Sequence, residues 1–265
     1  MNKICVVGDF ILDVYFNCKP RHNPEGNIPC YIATKEHEMK IGGGGNVKEN
    51  LETLGSEVDF FYSGERSTKM RIFNGDKYIF RVDDETPKYS KETLKQKEEE
   101  LIDNILAEKY NYILVSDYNK GAITRKVART IMNTGSKIIV DCKPIHFKWF
   151  KDAYLIKPNE KEFVEMVKLG LDDNYFQNIL VTRGSKGMEL LNNDGITLIP
   201  GLKTKCKDVT GAGDTVIATL VHFLNKGMPL INAIKLANKA GAISVTHMGC
   251  YAVKEKEVLK NSFKN

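Results

Sequence analysis

Asp208-Val209-Thr210-Gly211-Ala212-Gly213-Asp214 runs directly into Thr215-Val216-Ile217-Ala218-Thr219-Leu220-Val221-His222-Phe223-Leu224. In the second stretch Val216, Ile217, Leu220, Phe223 and Leu224 recur at helical spacing and form one apolar face. The glycines therefore stand at a helix N-terminus, where unpaired N–H groups and the helix dipole favour negative charge. Residues with little or no side chain let an anion come close to those amides. A carboxylate at Asp214 then reads as a proton acceptor beside an oxyanion-stabilising nest. A plain first-turn acid near a capping position is the other reading, and it leaves the Gly-Ala-Gly run beside it without a purpose.

Short apolar runs that end on polar residues recur upstream. They are Ile4-Cys5-Val6-Val7-Gly8-Asp9, Tyr112-Ile113-Leu114-Val115-Ser116-Asp117, Lys137-Ile138-Ile139-Val140-Asp141, residues 153–159 and residues 179–184. Runs of this kind, separated by helical patterns, are what a parallel sheet covered on both faces requires. Ligands of open parallel sheets bind beyond the strand C-termini, so the polar run ends converge on one crevice. The expected fold class is α/β, with a three-layer α/β/α core, a mainly parallel sheet and one domain over residues 1–265. Segments within about 14–40 and 69–83 alternate instead, as in Cys30-Tyr31-Ile32-Ala33-Thr34 and Tyr78-Ile79-Phe80-Arg81-Val82. They read as antiparallel strands outside the main sheet or as its edge strands. A helix is expected over Ser90 to Glu108, with Leu94, Leu101, Ile105 and Leu106 inward and the charges of Lys95–Glu100 solvated.

The chain has 265 residues, 39 basic and 34 acidic, for a net charge of +5 that is scattered. That surplus suits anionic small molecules, whereas nucleic-acid binding usually needs a basic stripe. The cysteines at 5, 18, 30, 142, 206 and 250 form no Cys-x-x-Cys pair, and the five histidines are dispersed, which argues against a zinc site. The chain enters its first strand pattern at once and has no apolar run long enough to span a membrane. The expectation is a cytoplasmic protein with reduced thiols and no membrane or nucleic-acid partner.

Ile41-Gly42-Gly43-Gly44-Gly45-Asn46-Val47 precedes a second helical pattern. It lacks the Gly-Lys-Ser/Thr of a Walker A loop and the glycine spacing of a dinucleotide fold. Gly8-Asp9-Phe10-Ile11-Leu12-Asp13 closes the first strand with two carboxylates, each able to accept two hydrogen bonds from a vicinal diol. Asp9 serves equally well as a helix cap or a lysine partner.

On these residues the chain resembles the ribokinase-like (PfkB) carbohydrate kinases. Asp208–Thr215 is similar to that family's C-terminal signature, and Gly42–Asn46 to its N-terminal Gly-Gly signature. The resemblance implies a ribokinase-like core, ATP-dependent phosphorylation of a sugar hydroxyl, and a small antiparallel β lid that can be shared in a homodimer. It implies Asp214 as the proton acceptor and the Gly211, Ala212 and Gly213 amides as the anion hole. Asp13, Gly43, Gly44 and Asn46 would meet the sugar. Lys157-Pro158-Asn159-Glu160-Lys161-Glu162 is similar to the family's Asn-x-x-Glu motif, which implies that Asn159 and Glu162 position the waters of Mg²⁺. Helix-start capping explains the same two residues. Thr182, Arg183 and Gly184 resemble the nucleotide loop, and Asn238, on a small-residue helix, is the base-proximal candidate. Close helix packing is the alternative for that helix. Asp208 and Thr210 are candidates for the K⁺ site that some members have.

Four stretches narrow the likeness: Val7–Tyr15, Arg21–Pro29, Leu114–Gly121 and Val140–Pro144. They resemble the heptose-7-phosphate kinase, the kinase half of the bifunctional ADP-heptose synthesis enzyme. A substrate that already bears a phosphate needs cations away from the reacting hydroxyl. Arg21, Lys69, Arg71, Arg81, Lys120 and Lys143 are the candidates, and Asp117 and Lys120 follow a strand C-terminus. Where the family carries a further strand–helix–strand stretch, this chain has only Ser56–Thr68, which is expected to trim one edge of the core. No nucleotidyltransferase sequence follows within the 265 residues, so a stand-alone kinase is expected. Two other readings are open: a kinase of another sugar or a nucleoside, and a non-catalytic sugar- or nucleotide-binding regulator.

Overall fold

The computed structural model describes residues 3–172 and 174–260. The chain begins with β1 (Ile4–Gly8), β2 (Phe10–Arg21), β3 (Cys30–Ala33), β4 (Glu38–Gly43), α1 (Gly44–Thr53), β5 (Val58–Phe61), β6 (Ser67–Asn74) and β7 (Lys77–Asp84). Next come α2 (Lys91–Ala107), β8 (Tyr112–Ser116), α3 (Arg125–Met132), β9 (Lys137–Asp141), β10 (Leu155–Ile156), α4 (Glu160–Lys168) and β11 (Asn178–Thr182). The last part holds β12 (Gly187–Asn192), β13 (Gly195–Pro200), α5 (Ala212–Asn225), α6 (Leu230–Ser244) and α7 (Glu255–Leu259).

The main sheet has the order β13-β12-β11-β10-β9-β8-β1-β5. From β11 to β5 every pairing is parallel, and only the β12–β13 hairpin end is antiparallel. Alternate side chains of each strand enter opposite layers, which is why the runs are apolar throughout. Ile4 and Val6 pack with Leu51, Leu220 and Ile234 on one side. Cys5 and Val7 pack with Ile105, Val127 and Phe150 on the other. The sheet is thus sandwiched between α1, α5, α6 and α7 on one face and α2, α3 and α4 on the other. No helix among the described residues is long and apolar enough to cross a membrane.

β5 follows α1 closely and is the terminal strand of the main sheet on that side. The alternating segments form a second sheet, β3-β2-β6-β7 with β4 on β2, and are not edge strands of the core. One of its pairings departs from the antiparallel expectation, because β2 and β6 run parallel. The reason is continuity: β1 leads into β2 and β5 leads toward β6, and β1 and β5 are parallel neighbours. α2 forms where expected, with the Ser90 side chain accepting from the Thr93 amide. Leu106 is a correction. It is exposed, and Leu101 and Ile105 carry the buried face.

Candidate active site

Gly211 is the N-cap of α5 and holds a left-handed φ of 73°. A Cβ there would stand 2.8 Å from Asn46 Nδ2 and 2.9 Å from Cys250 Sγ, so a glycine alone lets this turn close. The Ala212 amide donates to the Val209 carbonyl at 3.2 Å, a long bond within the turn. One residue beyond Gly213, the Asp214 carboxylate is 5% exposed. Its Oδ2 accepts from Asn46 Nδ2 at 2.7 Å and its Oδ1 from Tyr118 Oη at 2.6 Å. Asn50 Nδ2 in turn donates to the Asn46 carbonyl at 2.8 Å and to Asn46 Oδ1 at 3.2 Å, which orients the Asn46 amide on α1. Burial pushes the Asp214 carboxyl up to about 6, although both donors favour its ionised form.

Tyr118 arrives on the loop after β8, and Asp9 shapes that loop. Asp9 is 1% exposed and accepts from the backbone amides of Tyr118 (2.7 Å), Lys120 (3.1 Å) and Ala122 (2.9 Å). Its role is structural, a clasp that presents Tyr118 to Asp214. Asp117 is engaged elsewhere, with its oxygens on His146 Nδ1 at 2.6 Å and the Asn119 amide at 2.8 Å. Lys120 Nζ is paired with Glu85 at 2.6 Å. Among the described residues neither Asp117 nor Lys120 hydrogen-bonds Asp214. A buried carboxylate takes the nearest donors, and the short helical turn Pro144–Phe150 supplies His146.

Asp13, on β2, is ion-paired with Arg71 on β6. It lies against β4, where a Cβ on Gly42 would fall 2.4 Å from its Oδ2. Gly43 caps α1, which Gly44 opens and which carries Asn46 to Asp214. Lys69 and Lys143 each place Nζ 5.6 Å from the centre of the Tyr118 ring. Lys143 is paired with Glu162 at 2.9 Å. Among the described residues no carboxylate lies within ion-pair distance of Lys69, and burial lowers its pKa. Of the cations considered from sequence, Lys69, Arg71 and Lys143 gather here, while Arg81 pairs with Asp83 and Arg21 ends β2 in solvent.

Asn159 caps α4, accepting from the Lys161 and Glu162 amides at 3.0 Å, while Glu162 Oε2 accepts from the Asn159 amide at 3.1 Å. Burial would raise the Glu162 carboxyl, but Lys143 and the Asn159 amide outweigh it and hold it low. Thr182 forms a backbone bridge beside Asn159. Arg183 pairs with Glu189 and reaches Glu160 at 3.9 Å, and Gly184 opens the following turn. Asn238 Nδ2 donates to the Pro200 carbonyl at 2.9 Å and ties α6 to the end of β13. Asp208 accepts from the Thr210 amide (2.9 Å) and hydroxyl (2.7 Å) and from the Gly249 amide (2.8 Å). No group of three His, Cys, Asp or Glu among the described residues is placed to hold a metal directly.

Sequence reasoning missed two residues of this crevice, Tyr118 and Lys157. Lys157 is 4% exposed, with Nζ 2.9 Å from Asp141 Oδ2 and 3.6 Å from where a Gly213 Cβ would sit. Both follow strands whose C-terminal ends were expected to converge, and that rule was the available signal.

The model of the pfkB family carbohydrate kinases matches residues 65–257. The bifunctional protein HldE of Methylococcus capsulatus is 32% identical over 97% of this chain. The chain spans 63% of that relative's length. Phosphofructokinase-2 from Escherichia coli, in complex with substrates and products, superposes with a TM-score of 0.75 at 16% identity and 97% coverage of both chains. The same enzyme in complex with potassium gives 0.75 at 15% identity and the same coverage. Together with the parallel core and the Gly-Ala-Gly-Asp turn at the head of α5, these likenesses establish that the chain belongs to the pfkB family of carbohydrate kinases.

Proposed function

We propose that this chain transfers the γ-phosphoryl group of ATP to a hydroxyl of a sugar that already carries a phosphate, a heptose 7-phosphate. One observation carries the reading: a buried carboxylate, Asp214, sits at the N-terminus of α5 with side-chain donors from α1 and the β8 loop. A substrate hydroxyl that displaces Tyr118 Oη meets Asp214 Oδ1 at hydrogen-bond distance and loses its proton there. The amides of Gly211–Gly213 stabilise charge on the transferring group. Asp13, Gly43, Gly44 and Asn46 hold the sugar, while Asn159, Thr182, Arg183, Gly184 and Asn238 border the nucleotide. Lys69 supports the second phosphate, since a half-buried ammonium that no carboxylate among the described residues contacts directly favours an anionic ligand.

Mg²⁺ neutralises the nucleotide phosphates when bound. Both Glu162 oxygens are already engaged, so Asn159 and Glu162 fit its water shell rather than the ion itself. The reading includes a K⁺ at Asp208 and Thr210, in line with the potassium complex of the phosphofructokinase-2, and expects higher turnover in potassium than in sodium. The second sheet exposes Ile32, Met39, Ile41, Tyr78, Phe80 and Val82, which supports a homodimer through that sheet. The absence of a membrane-crossing helix among the described residues is consistent with a cytoplasmic enzyme.

Asp214→Asn is expected to lower kcat by roughly two orders of magnitude or more, with ATP affinity little changed, in an ADP-release assay. Near-normal turnover would remove Asp214 from the base role. A base must be ionised to act, so kcat/KM should fall as pH drops through about 6. In Tyr118→Phe the ionised form loses a donor, so that acid limb should move to higher pH; an unmoved limb contradicts the assignment. Light scattering should give the mass of two chains, and Ile41→Lys with Phe80→Lys should halve it. A monomeric parent protein would contradict the dimer.

A further inference from the structure

Tyr118 Oη stands 2.6 Å from Asp214 Oδ1, the oxygen on which the proposed function seats the reacting hydroxyl. The phenol therefore holds the acceptor's own place on the base. Burial and the neighbouring carboxylate push its pKa well up, so it stays protonated and donates to the ionised Asp214. The ring stands between two ammoniums, Lys69 of β6 and Lys143 beyond β9, each 5.6 Å from its centre. Cations over an aromatic face hold the ring in place. The backbone beneath is pinned as well. Asp9 accepts from the amides of Tyr118, Lys120 and Ala122, and Asp117 Oδ1 accepts from the Asn119 amide. Asn119 holds a left-handed φ of 58°. A Cβ on Gly64 would fall 2.5 Å from the Gly121 carbonyl carbon, so the segment before β6 presses directly on this loop. Uncovering Asp214 is then a rotation of one side chain and not a movement of the loop.

A carboxylate base beside an anion hole can activate water as well as a sugar hydroxyl. With ATP bound and no sugar, that water would bond to the γ-phosphorus as the bond to the bridging oxygen breaks. The electron pair of the broken bond would leave on ADP, and Asp214 would take the proton. The products would be ADP and inorganic phosphate. Closed sites suppress such side reactions by keeping water from the reacting atoms. We propose that Tyr118 is a guard on the base: its hydroxyl occupies Asp214 Oδ1 until the sugar displaces it, and so couples ATP use to sugar binding. The proposal rests on the kinase reading of Asp214. When the sugar arrives, one hydrogen bond to a charged oxygen is exchanged for another. The sugar contacts proposed at Asp13, Gly43 and Gly44 drive that exchange, and a single water has no such contacts to offer.

The probe is Mg-ATP with no sugar, and the readout is ADP release. Tyr118→Phe removes the hydroxyl, keeps the ring and leaves Oδ1 open to water. A hydrogen bond to an ionised oxygen shifts such an exchange by about ten- to a hundredfold. Sugar-free hydrolysis should therefore rise at least about tenfold over the parent. A merely structural loss would lower ADP release with and without sugar alike. Tyr118→Phe with Asp214→Asn should return hydrolysis to the parent level or below, because the activated water needs the base. Hydrolysis in Tyr118→Phe no higher than in the parent would overturn the proposal, as would a gain that survives Asp214→Asn. So would phosphate on Tyr118 of the parent after incubation with Mg-ATP, read by mass spectrometry, since the hydroxyl would then be an acceptor and not a guard. Thermal melting checks the fold of each variant, and Tyr118→Leu decides by the same criterion should Tyr118→Phe not fold. Parent turnover on heptose 7-phosphate and other sugars, run alongside, keeps the two claims apart. Its absence defeats the kinase reading, whereas its presence with unraised hydrolysis in Tyr118→Phe defeats the guard alone.

Discussion

A carboxylate cannot be buried at a helix N-terminus without donors, and the arrangement of this chain follows from satisfying Asp214. Its partners come from segments far apart in sequence, Asn46 at 168 residues' separation and Tyr118 at 96. Each partner is itself held. Asn50 orients Asn46 within α1, and Asp9 gathers three amides of the loop that carries Tyr118. The parallel sheet makes this convergence available, because β1, β8, β9 and β10 all end on one side, where α5 begins. Asp214 is left ionisable near neutrality by the balance between burial and two hydrogen bonds.

The second sheet extends the same logic toward the substrate. Because β2 continues from β1, and β6 runs parallel to it, Asp13, Lys69 and Arg71 come into neighbouring positions over the crevice. The glycines at 42–44 allow β4 and α1 to close against Asp13 and the end of β1. Anionic and cationic side chains thus stand side by side on the second sheet, where the proposed function seats a sugar phosphate. The β5 edge lies at the far end of the core sheet from the β12–β13 hairpin.

Much of the fold was legible because it is written in local patterns. The apolar runs at β1, β8, β9 and β11 gave a parallel core, and Asp208–Asp214 marked the head of α5. Asn46 and Asp214 were named from their glycine-rich surroundings, and the structure joins them by a hydrogen bond. What stayed hidden depends on side-chain direction and on partners remote in sequence. Asp9, Asp13 and Asp117 are alike as strand-end carboxylates, yet they meet backbone amides, Arg71 and His146 respectively. Lys157 was quoted within a motif and passed over, since nothing local says that its ammonium lies beside Gly213. Asn159 and Glu162 were read with two meanings; the reciprocal cap is present in the fold, and the Mg²⁺ role is part of the proposed function. The β12–β13 hairpin and the exposed Leu106 were missed because neighbouring layers decide them, not their own periodicity.

The most direct test of a sugar-phosphate kinase centred on Asp214 is ADP release with Mg-ATP across free sugars, nucleosides, hexose phosphates and heptose 7-phosphate. The proposed function predicts turnover with the heptose 7-phosphate and little with unphosphorylated sugars or nucleosides. ATP binding with no turnover on any member of that panel would contradict it.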